Sequence, residues 1–282
     1  MVRSVTEIDG WIENWVLYVI NIILCIGIVG NFLNIIVFAK LKLFRGNRSA
    51  FYLTAESVVN IYLLFDTVLP MLFQTIYHVY PENVSLLWCK LKTTLNQSAR
   101  LLIGSIVCFE ALDQYFSTHH RSHLRQLITL KLARFLVIFS ATLWTIQTIP
   151  YIIFFDIVPS FGCIITNQSL VYYYSYVYYI FLNGLLPICI ASVFSLLAYR
   201  NVRHIIRRQL PIERRRLDRQ MTAMIFARVI MFVVVSLPYT IFRVYILNLN
   251  GLVIDSAHIA VNQLALTMAT TLLLGNYSVK LL

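Results

Sequence analysis

Three charged side chains lie inside long apolar stretches of this sequence, where ion pairing is the chemistry that they could perform. Glu56 follows Ser49 by seven residues, Arg228 follows Arg219 by nine, and Glu110 precedes His119 by nine, each counted from the polar end of its stretch. In a helix that rises about 1.5 Å per residue, these positions lie roughly 10–13 Å deep. A lone charge there costs several kcal/mol in a membrane. We therefore expect Arg228 to bridge to Glu110, with Glu56 as a second acceptor or a protonated carboxyl group. The alternative is that Arg228 extends toward phosphate headgroups and both glutamates are neutral.

Two further arginines are candidates for ligand binding. Arg100 lies roughly 15 Å below Cys89 on the same predicted helix, and a charge at that depth is by default a functional candidate. Its alternative role is structural, paired with Asp66 or with a backbone carbonyl. Arg243 follows Pro238 by five residues and is expected near the outer mouth. Two arginines favour an acidic group or a C-terminal carboxylate on the ligand, through charge-assisted and bidentate hydrogen bonds.

The histidines and cysteines do not indicate an enzyme. His119, His120 and His123 have a spacing that a metal site could use, but we interpret them as part of a solvated loop. The five cysteines include no Cys-x-x-Cys pair. With no nucleophile–base pair and no metal cluster at membrane depth, the sequence predicts no catalytic residue, no metal site and no cofactor.

The composition is that of an integral membrane protein. Of the 282 residues, 59% are hydrophobic and only 12% are charged, and the mean hydropathy is +0.75. A soluble domain is about 45–50% apolar and about 25% charged, so the excess apolar surface must face lipid. A helix needs about 20 apolar residues to cross a bilayer, and only helices satisfy every backbone group within such a run. Seven stretches qualify, and the predicted fold is an all-α bundle with spans at residues 15–38, 51–76, 91–116, 132–155, 176–199, 221–247 and 254–274.

The basic residues predict how the bundle is oriented. Sixteen of the 23 Lys and Arg residues fall in the first, third and fifth loops. Cytoplasmic loops are enriched in Lys and Arg, so the N-terminus, residues 1–14, is predicted to be extracellular and the C-terminus cytoplasmic. No removable signal peptide is predicted, because the N-terminus lacks a short apolar region with a cleavage site. Since the net charge of +11 is accounted for by these loops, no nucleic-acid partner is predicted.

Residues distributed along most of the chain carry a resemblance to rhodopsin-like G-protein-coupled receptors. They are Gly30 and Asn31 in span one, Cys89 at the start of span three, Trp144 and Pro150 in span four, Cys163 in the next outer loop, Pro187 in span five and Pro238 in span six. The stretches "FYLTAES" in span two and "GNYS" in span seven are similar to the peptide-receptor branch, close to FMRFamide-type receptors. The resemblance implies a multi-pass receptor of the plasma membrane and a disulfide between Cys89 and Cys163.

The same resemblance places a signalling motif at the cytoplasmic end of span three. In the family, an Asp-Arg-Tyr triplet has its arginine 25 residues after the span-three cysteine, and here that position falls within Asp113-Gln114-Tyr115. These three residues are the predicted G-protein-coupling residues, although Gln114 replaces the arginine. Asn60 stands where span two usually has an aspartate, which puts sodium regulation in doubt. Span seven stops near where the family's Asn-Pro-x-x-Tyr segment would begin, so a fragment, a degenerate copy and a variant of altered coupling all remain open.

The upper half of the bundle is where such receptors bind ligands. Asn96 stands where amine receptors have an aspartate, and Leu274 where light receptors have the retinal lysine, so neither a monoamine nor retinal is expected. The predicted ligand-binding residues are Asn96, Gln97, Arg100, Tyr239 and Arg243. Tyr172, Tyr173, Tyr174 and Tyr176 are expected to form an interfacial aromatic belt, with some reaching the pocket. Two outer sequons predict glycosylation at Asn83 and Asn167.

The sequence thus predicts a seven-span receptor that senses an extracellular ligand, a peptide or an acidic molecule, and signals to a heterotrimeric G protein. One alternative is a non-signalling, decoy or degenerate receptor, because of Gln114 and the short span seven. A membrane transporter is the alternative from another class, but the paired broken helices and repeats of many transporters are not found.

Overall fold

The computed structural model describes residues 2–40, 46–119, 121–158, 162–205, 212–249 and 256–278. The predicted basic-loop residues Lys42, Arg45, Arg207 and Arg208, the loop histidine His120 and the last four residues of the chain lie outside the described residues.

The described residues form long helices and one small hairpin. The first long helical rod is continuous and consists of α1 (Val2–Trp15), a π-helical segment (Val16–Ile20) and α2 (Asn21–Lys40). It is followed by α3 (Arg48–Tyr77), the short α4 (Pro81–Val84), α5 (Leu86–Ser117) and the short α6 (Ser122–Leu127). Next come α7 (Leu130–Gln147), α8 (Ile149–Phe154), β1 (Phe155–Val158), β2 (Gly162–Ile165), α9 (Gln168–Tyr172), a second π-helical segment (Tyr173–Leu185), α10 (Leu186–Ile205), α11 (Ile212–Leu249) and α12 (Ser256–Ser278).

Six helical stretches among the described residues are long and apolar enough to cross a membrane. They correspond to six of the predicted spans. The remaining long helix, α5, corresponds to span three and carries Lys90, Lys92, Arg100, Glu110 and Asp113, which lower its hydropathy. Half of its 32 residues are buried, because α5 packs against α3, α7 and α10 and also touches α11. The predicted all-α membrane bundle is confirmed, with α5 enclosed by the other helices.

The outer surface of the bundle is apolar, as a lipid-facing surface must be. Large side chains such as Ile22, Phe32, Ile138 and Val234 are each more than half exposed. The interior, in contrast, holds polar and charged residues together with Leu, Val and Tyr. The apolar exterior differs from the surface of a soluble protein and follows from the excess of apolar residues in the composition.

The first helix begins earlier than the hydrophobic pattern predicts. Residues 2–14, which we predicted to be an N-terminal segment outside span one, form α1 and continue into the rod. The cause is an apolar face within this polar sequence, since Ile12 and Val16 lie one turn apart and are both buried. α1 packs on α12, and Trp15 Nε1 donates a hydrogen bond to Thr271 Oγ1 at 3.0 Å.

The hairpin of β1 and β2 lies over α5 and is fixed to it covalently. The two strands are antiparallel and pair Phe155 with Ile165 and Val158 with Gly162. The predicted disulfide between Cys89 and Cys163 is confirmed, with a Cα–Cα distance of 5.8 Å. The backbone N–H of Cys163 also donates to Asn83 Oδ1 at 3.0 Å. The hairpin is therefore tied both to α5 and to α4.

Both predicted glycosylation sites have a structural contact of their own. Asn83 accepts the hydrogen bond from the hairpin, and Asn167 caps α9 by accepting from the backbone N–H of Leu170 at 3.1 Å. In each case the contact uses the amide oxygen, whereas glycosylation modifies the amide nitrogen. Glycosylation at these sites remains a prediction.

Removing the disulfide should lower the stability of the folded bundle. A cross-link of this kind typically contributes about 2–4 kcal/mol by restricting the unfolded chain. We expect the paired substitution Cys89→Ser and Cys163→Ser to lower the thermal unfolding midpoint in detergent. Cys25→Ser, at an exposed free cysteine, is the matched control and should leave the midpoint unchanged. A non-reducing peptide map that finds both thiols free would contradict the prediction.

Candidate functional site

A chain of polar contacts fixes Arg100 in the upper half of the bundle. Arg100 is buried on α5, and its Nε donates to Asn96 Oδ1 at 2.6 Å. The Asn96 side chain donates in turn to Asp66 on α3, and Tyr62 OH donates to the other carboxylate oxygen of Asp66 at 3.3 Å. Arg100 is thus linked to Asp66 only through Asn96, and the two side chains do not pair directly. The guanidinium is oriented by neighbours on two helices.

The Arg100 guanidinium lies over an aromatic ring of α11. Its Cζ lies 5.0 Å from the ring centroid of Tyr239, within the range of a cation–π contact. Among the described residues, the only hydrogen bond that Arg100 donates is the one from Nε. Its two terminal nitrogens, which form the edge that recognises a carboxylate, have no protein acceptor there.

A cluster of buried tyrosines connects Arg100's helix to the second arginine. The Gln97 side chain donates to Tyr174 OH, and Tyr178 OH donates to the backbone carbonyl of Gln97 at 3.1 Å. Tyr174 OH and Tyr179 OH lie 3.2 Å apart. Arg243 Nε then donates to Tyr179 OH at 3.3 Å. Both arginines are therefore held through Nε, and the structure brings all five predicted ligand-binding residues to the upper half of α5 and α11.

The tyrosine run at the start of span five divides between lipid and interior. Tyr172 and Tyr176 are about half exposed and stack on each other at a centroid distance of 6.4 Å, as expected for an interfacial belt. Tyr174 is buried, together with Tyr178 and Tyr179, which the sequence analysis did not select. The π-helical segment has a wider turn than an α-helix, which places 174, 178 and 179 on one side of it. Tyr178 and Tyr179 therefore extend the buried tyrosine face one turn further into the bundle.

The cytoplasmic half holds a cluster of three buried charges. Arg228 on α11 contacts Glu110 on α5 and Glu56 on α3. The side chains of Glu56 and Glu110 are 4% and 1% exposed, and that of Arg228 is 14% exposed. The guanidinium therefore points into the bundle and not toward headgroups. Because two carboxylates face one cation, the cluster joins three helices through a single arginine.

A second ion pair, which was not predicted from the sequence, lies nearer the cytoplasmic surface. Arg48 Nε lies 3.1 Å from Asp113 Oδ1, and the same guanidinium donates to Ser117 Oγ at 2.7 Å and to the backbone carbonyl of Ile128. Arg48 was counted only among the loop charges that set the orientation. Asp113 could have indicated this pair, because Gln114 replaces the arginine that usually follows the aspartate in the family. A buried carboxylate without that partner requires a cation from elsewhere.

The rest of the triplet lies at the floor of the bundle. Gln114 is buried, and Tyr115 is half-buried with its ring 5.4 Å from that of Phe194 on α10. His119 packs edge-on against Tyr115 at 5.6 Å. In the described part of the chain, no three His, Cys, Asp or Glu side chains converge in a way that could hold a metal ion.

Spans one, two and seven are joined by an amide network at mid-depth. Asn60 Nδ2 donates to Asn31 Oδ1 at 3.2 Å, and Asn31 Nδ2 donates to the backbone carbonyl of Tyr277 at 2.8 Å. The close approach of α2 and α12 requires Gly27, where an added Cβ would lie 2.4 Å from Ser278 Oγ. Asn60 therefore serves a structural contact at the position where the family usually has an aspartate.

Comparison with known proteins identifies the family. The family model described as "7 transmembrane receptor (rhodopsin family)" matches residues 30–277, which include every predicted ligand-binding, coupling and charge-cluster residue. No curated protein matches the chain. The matched region covers most of the sequence, and it agrees with the apolar outer surface, the enclosed α5 and the disulfide over the bundle. The chain belongs to the rhodopsin family of seven-transmembrane receptors and is a multi-pass protein of the plasma membrane.

Proposed function

We propose that this receptor senses an extracellular ligand that presents a carboxylate, as a peptide with a free C-terminus or an acidic side chain does, and that it signals to a heterotrimeric G protein. The observation that carries the proposal is the pair Arg100 and Arg243. Each guanidinium is anchored through Nε and has no described acceptor for its terminal nitrogens. Members of the family act in general as receptors for extracellular ligands.

The chemistry of the two arginines favours an anionic ligand. A guanidinium binds a carboxylate through two parallel N–H···O bonds, and these bonds strengthen where water is excluded. Asp66 is the acid nearest to Arg100 in the polar chain, and Asn96 separates the two side chains. An incoming carboxylate would therefore supply negative charge that none of the described residues places against either arginine. The resemblance to peptide receptors supports a peptide as its source.

The orientation of the basic loops supports ligand access from the hairpin side. That orientation places the N-terminus and the β1–β2 hairpin outside and the Arg48 and Arg228 clusters toward the cytoplasm. Arg100 and Arg243 then lie below the hairpin, in the outer half of the membrane. The G protein would bind at the opposite face, where Asp113, Gln114 and Tyr115 lie.

Helix α11 offers a route from the ligand to the cytoplasmic face. Tyr239 and Arg243 lie on the same helix as Arg228, and Tyr239 is eleven residues, or roughly 17 Å, away from it. Pro238 stands between the two regions and is a point at which a helix can bend. If α11 can occupy two positions, a ligand that contacts Arg243 and Tyr239 with higher affinity in one of them would shift the population toward that position. The contacts of Arg228 with Glu110 and Glu56 would hold the inactive position.

The proposal predicts that Arg100 discriminates between acidic and neutral ligands. A ligand from a screen with a promiscuous G-protein reporter is prepared as the free acid and as the amide. Arg100→Leu should weaken the free acid by about tenfold or more and the amide much less, since only the acid loses a charge-assisted bond. Lys90→Gln is the matched control, because it removes a positive charge from the outer end of the same helix.

Two outcomes would contradict this role of Arg100. An equal loss for the acid and the amide would show that Arg100 does not contact the carboxylate. Loss of surface expression in Arg100→Leu would indicate a structural role, and Arg100→Lys, which keeps the charge but not the bidentate edge, would then be measured in its place.

Charge exchange at the cytoplasmic cluster tests the proposed inactive-state contact. Glu110→Arg alone and Arg228→Glu alone each leave like charges buried together, so each should impair folding or raise basal nucleotide exchange on a purified G protein. The double exchange restores opposite charges and should recover surface expression and low basal exchange. A double variant no better than the worse single variant would refute the contact. Exchange that stays at background in every folded variant, with ligand present, would instead favour a non-signalling receptor.

A further inference from the structure

The charge cluster of the cytoplasmic half contains more acid than base. Arg228 contacts Glu56 through Nη2 and Glu110 through Nη1, so that one guanidinium serves two carboxyl groups. A guanidinium does not give up its charge in a protein. If both glutamates were ionised, two negative charges would face one positive charge, and one negative charge would be left in excess.

The surroundings of the cluster make an excess charge costly. The side chains of Glu56 and Glu110 are 4% and 1% exposed, and they lie between α3, α5 and α11 at membrane depth. Neither water nor hydrocarbon can solvate a net charge at such a place. The cluster is therefore expected to become neutral, and only its carboxyl groups can change their charge.

The neighbouring elements do not supply a second cation. Toward the cytoplasm, the next charged groups on α3 and α5 are Arg48 and Asp113, which pair with each other at 3.1 Å. The described Lys and Arg residues at the cytoplasmic ends of the other helices and in α6 are exposed: Lys40, Arg121, Arg125, Lys131, Arg134 and Arg200. The nearby phenols and thiol carry no charge near neutral pH: Tyr52, Cys108, Tyr115, Tyr199 and Tyr277. His119 packs on Tyr115, nine residues beyond Glu110.

Two carboxyl groups on one guanidinium lie close enough for their charges to interact directly. In a dyad of this kind one carboxyl group keeps a proton, because two negative charges at short range cannot both be accommodated. The proton then belongs to the pair and not to either residue alone. One carboxylate, one carboxylic acid and one guanidinium together carry no net charge.

We propose that Glu56, Glu110 and Arg228 form a proton-binding site, in which the two carboxyl groups share one proton near neutral pH. An exposed glutamate of the unfolded chain has a pKa of about 4.3 and holds no proton under these conditions. The folded chain therefore binds one proton more than the unfolded chain. Its stability is greatest at low pH and decreases as the pH rises, until the folded cluster releases its proton. The site is distinct from the outer arginines and does not depend on the ligand.

Infrared spectroscopy of the full chain in dodecyl maltoside, a detergent without carbonyl groups, detects the proton directly. A protonated carboxyl group has a C=O stretching band that a carboxylate lacks, and this band shifts in heavy water. The band of the native chain near neutral pH should be lost in Glu56→Gln and equally in Glu110→Gln, because either substitution leaves one carboxylate for Arg228. Glu82→Gln is the matched control and should keep the band, since Glu82 pairs one to one with Lys92 at 2.8 Å.

Equilibrium unfolding by dodecyl sulfate in mixed micelles provides a second, independent measurement. Relative to either single glutamine variant, the unfolding equilibrium constant of the native chain should rise by up to about tenfold per pH unit between about pH 6 and about pH 8. Both single variants should fold, because each keeps one carboxylate against one guanidinium. The double variant leaves Arg228 without either carboxylate and should be less stable than both.

Each outcome supports or overturns the proposal. A carboxyl band that is lost in both single variants and kept in Glu82→Gln supports it, as does the pH slope. A native spectrum without a protonated carboxyl band, a band that neither variant removes, or a band lost in only one of two folded variants overturns it. If one single variant does not fold, the other decides the question. Failure of both to fold would contradict the one-to-one pair and overturn the proposal.

Discussion

Charge inside a hydrocarbon layer must be matched by charge or by hydrogen bonds, and most of this structure follows from how α5 meets that requirement. The helix carries Arg100, Glu110 and Asp113 at depths where lipid cannot solvate them. Their partners lie on two other helices: Arg48 and, through Asn96, Asp66 on α3, and Arg228 on α11. Because these two helices approach α5 from different sides, α5 cannot lie at the edge of the bundle. Its central place, and hence the place of the ligand and coupling residues on it, is an electrostatic consequence.

Apart from the disulfide that the resemblance implied and the contact between Glu110 and Arg228, the features that the sequence could predict depend on one helix at a time. Apolar runs of sufficient length predicted the spans, and the depths of Glu110 and Arg228 predicted that both would need partners in the interior. The features that it could not predict depend on how helices meet. In the sequence Arg48 looks like any basic residue of a loop, and its pairing with Asp113 becomes visible only when α3 and α5 lie side by side. The N-terminal helix α1 is polar in sequence, and its two buried residues become significant only when α12 covers them. The π-helical segment that carries Tyr178 and Tyr179 has no sign in residue propensity.

The two arginine sites of the membrane interior use their cations differently. Arg228 contacts two carboxylates, so its role is to hold three helices together. Arg100 and Arg243 each contact neutral oxygen atoms through Nε and keep their terminal nitrogens without a described acceptor. Arginine thus stabilises helix packing in the cytoplasmic half, whereas in the outer half its terminal N–H groups are placed to donate to an anion.

The positions of these partners along the chain have a consequence for biogenesis. Asp113 pairs with Arg48, which precedes it in the chain and is therefore synthesised first. This pair can form as α5 inserts into the membrane. Glu110 pairs with Arg228, which lies 118 residues further on. Until α11 is synthesised, Glu56 and Glu110 are in the membrane without their cation, and they must remain protonated or hydrated beside the translocon. Arrival of α11 is therefore the step that completes the charge cluster, and quality-control machinery that recognises charge within the membrane would have its target in every chain that stalls before it.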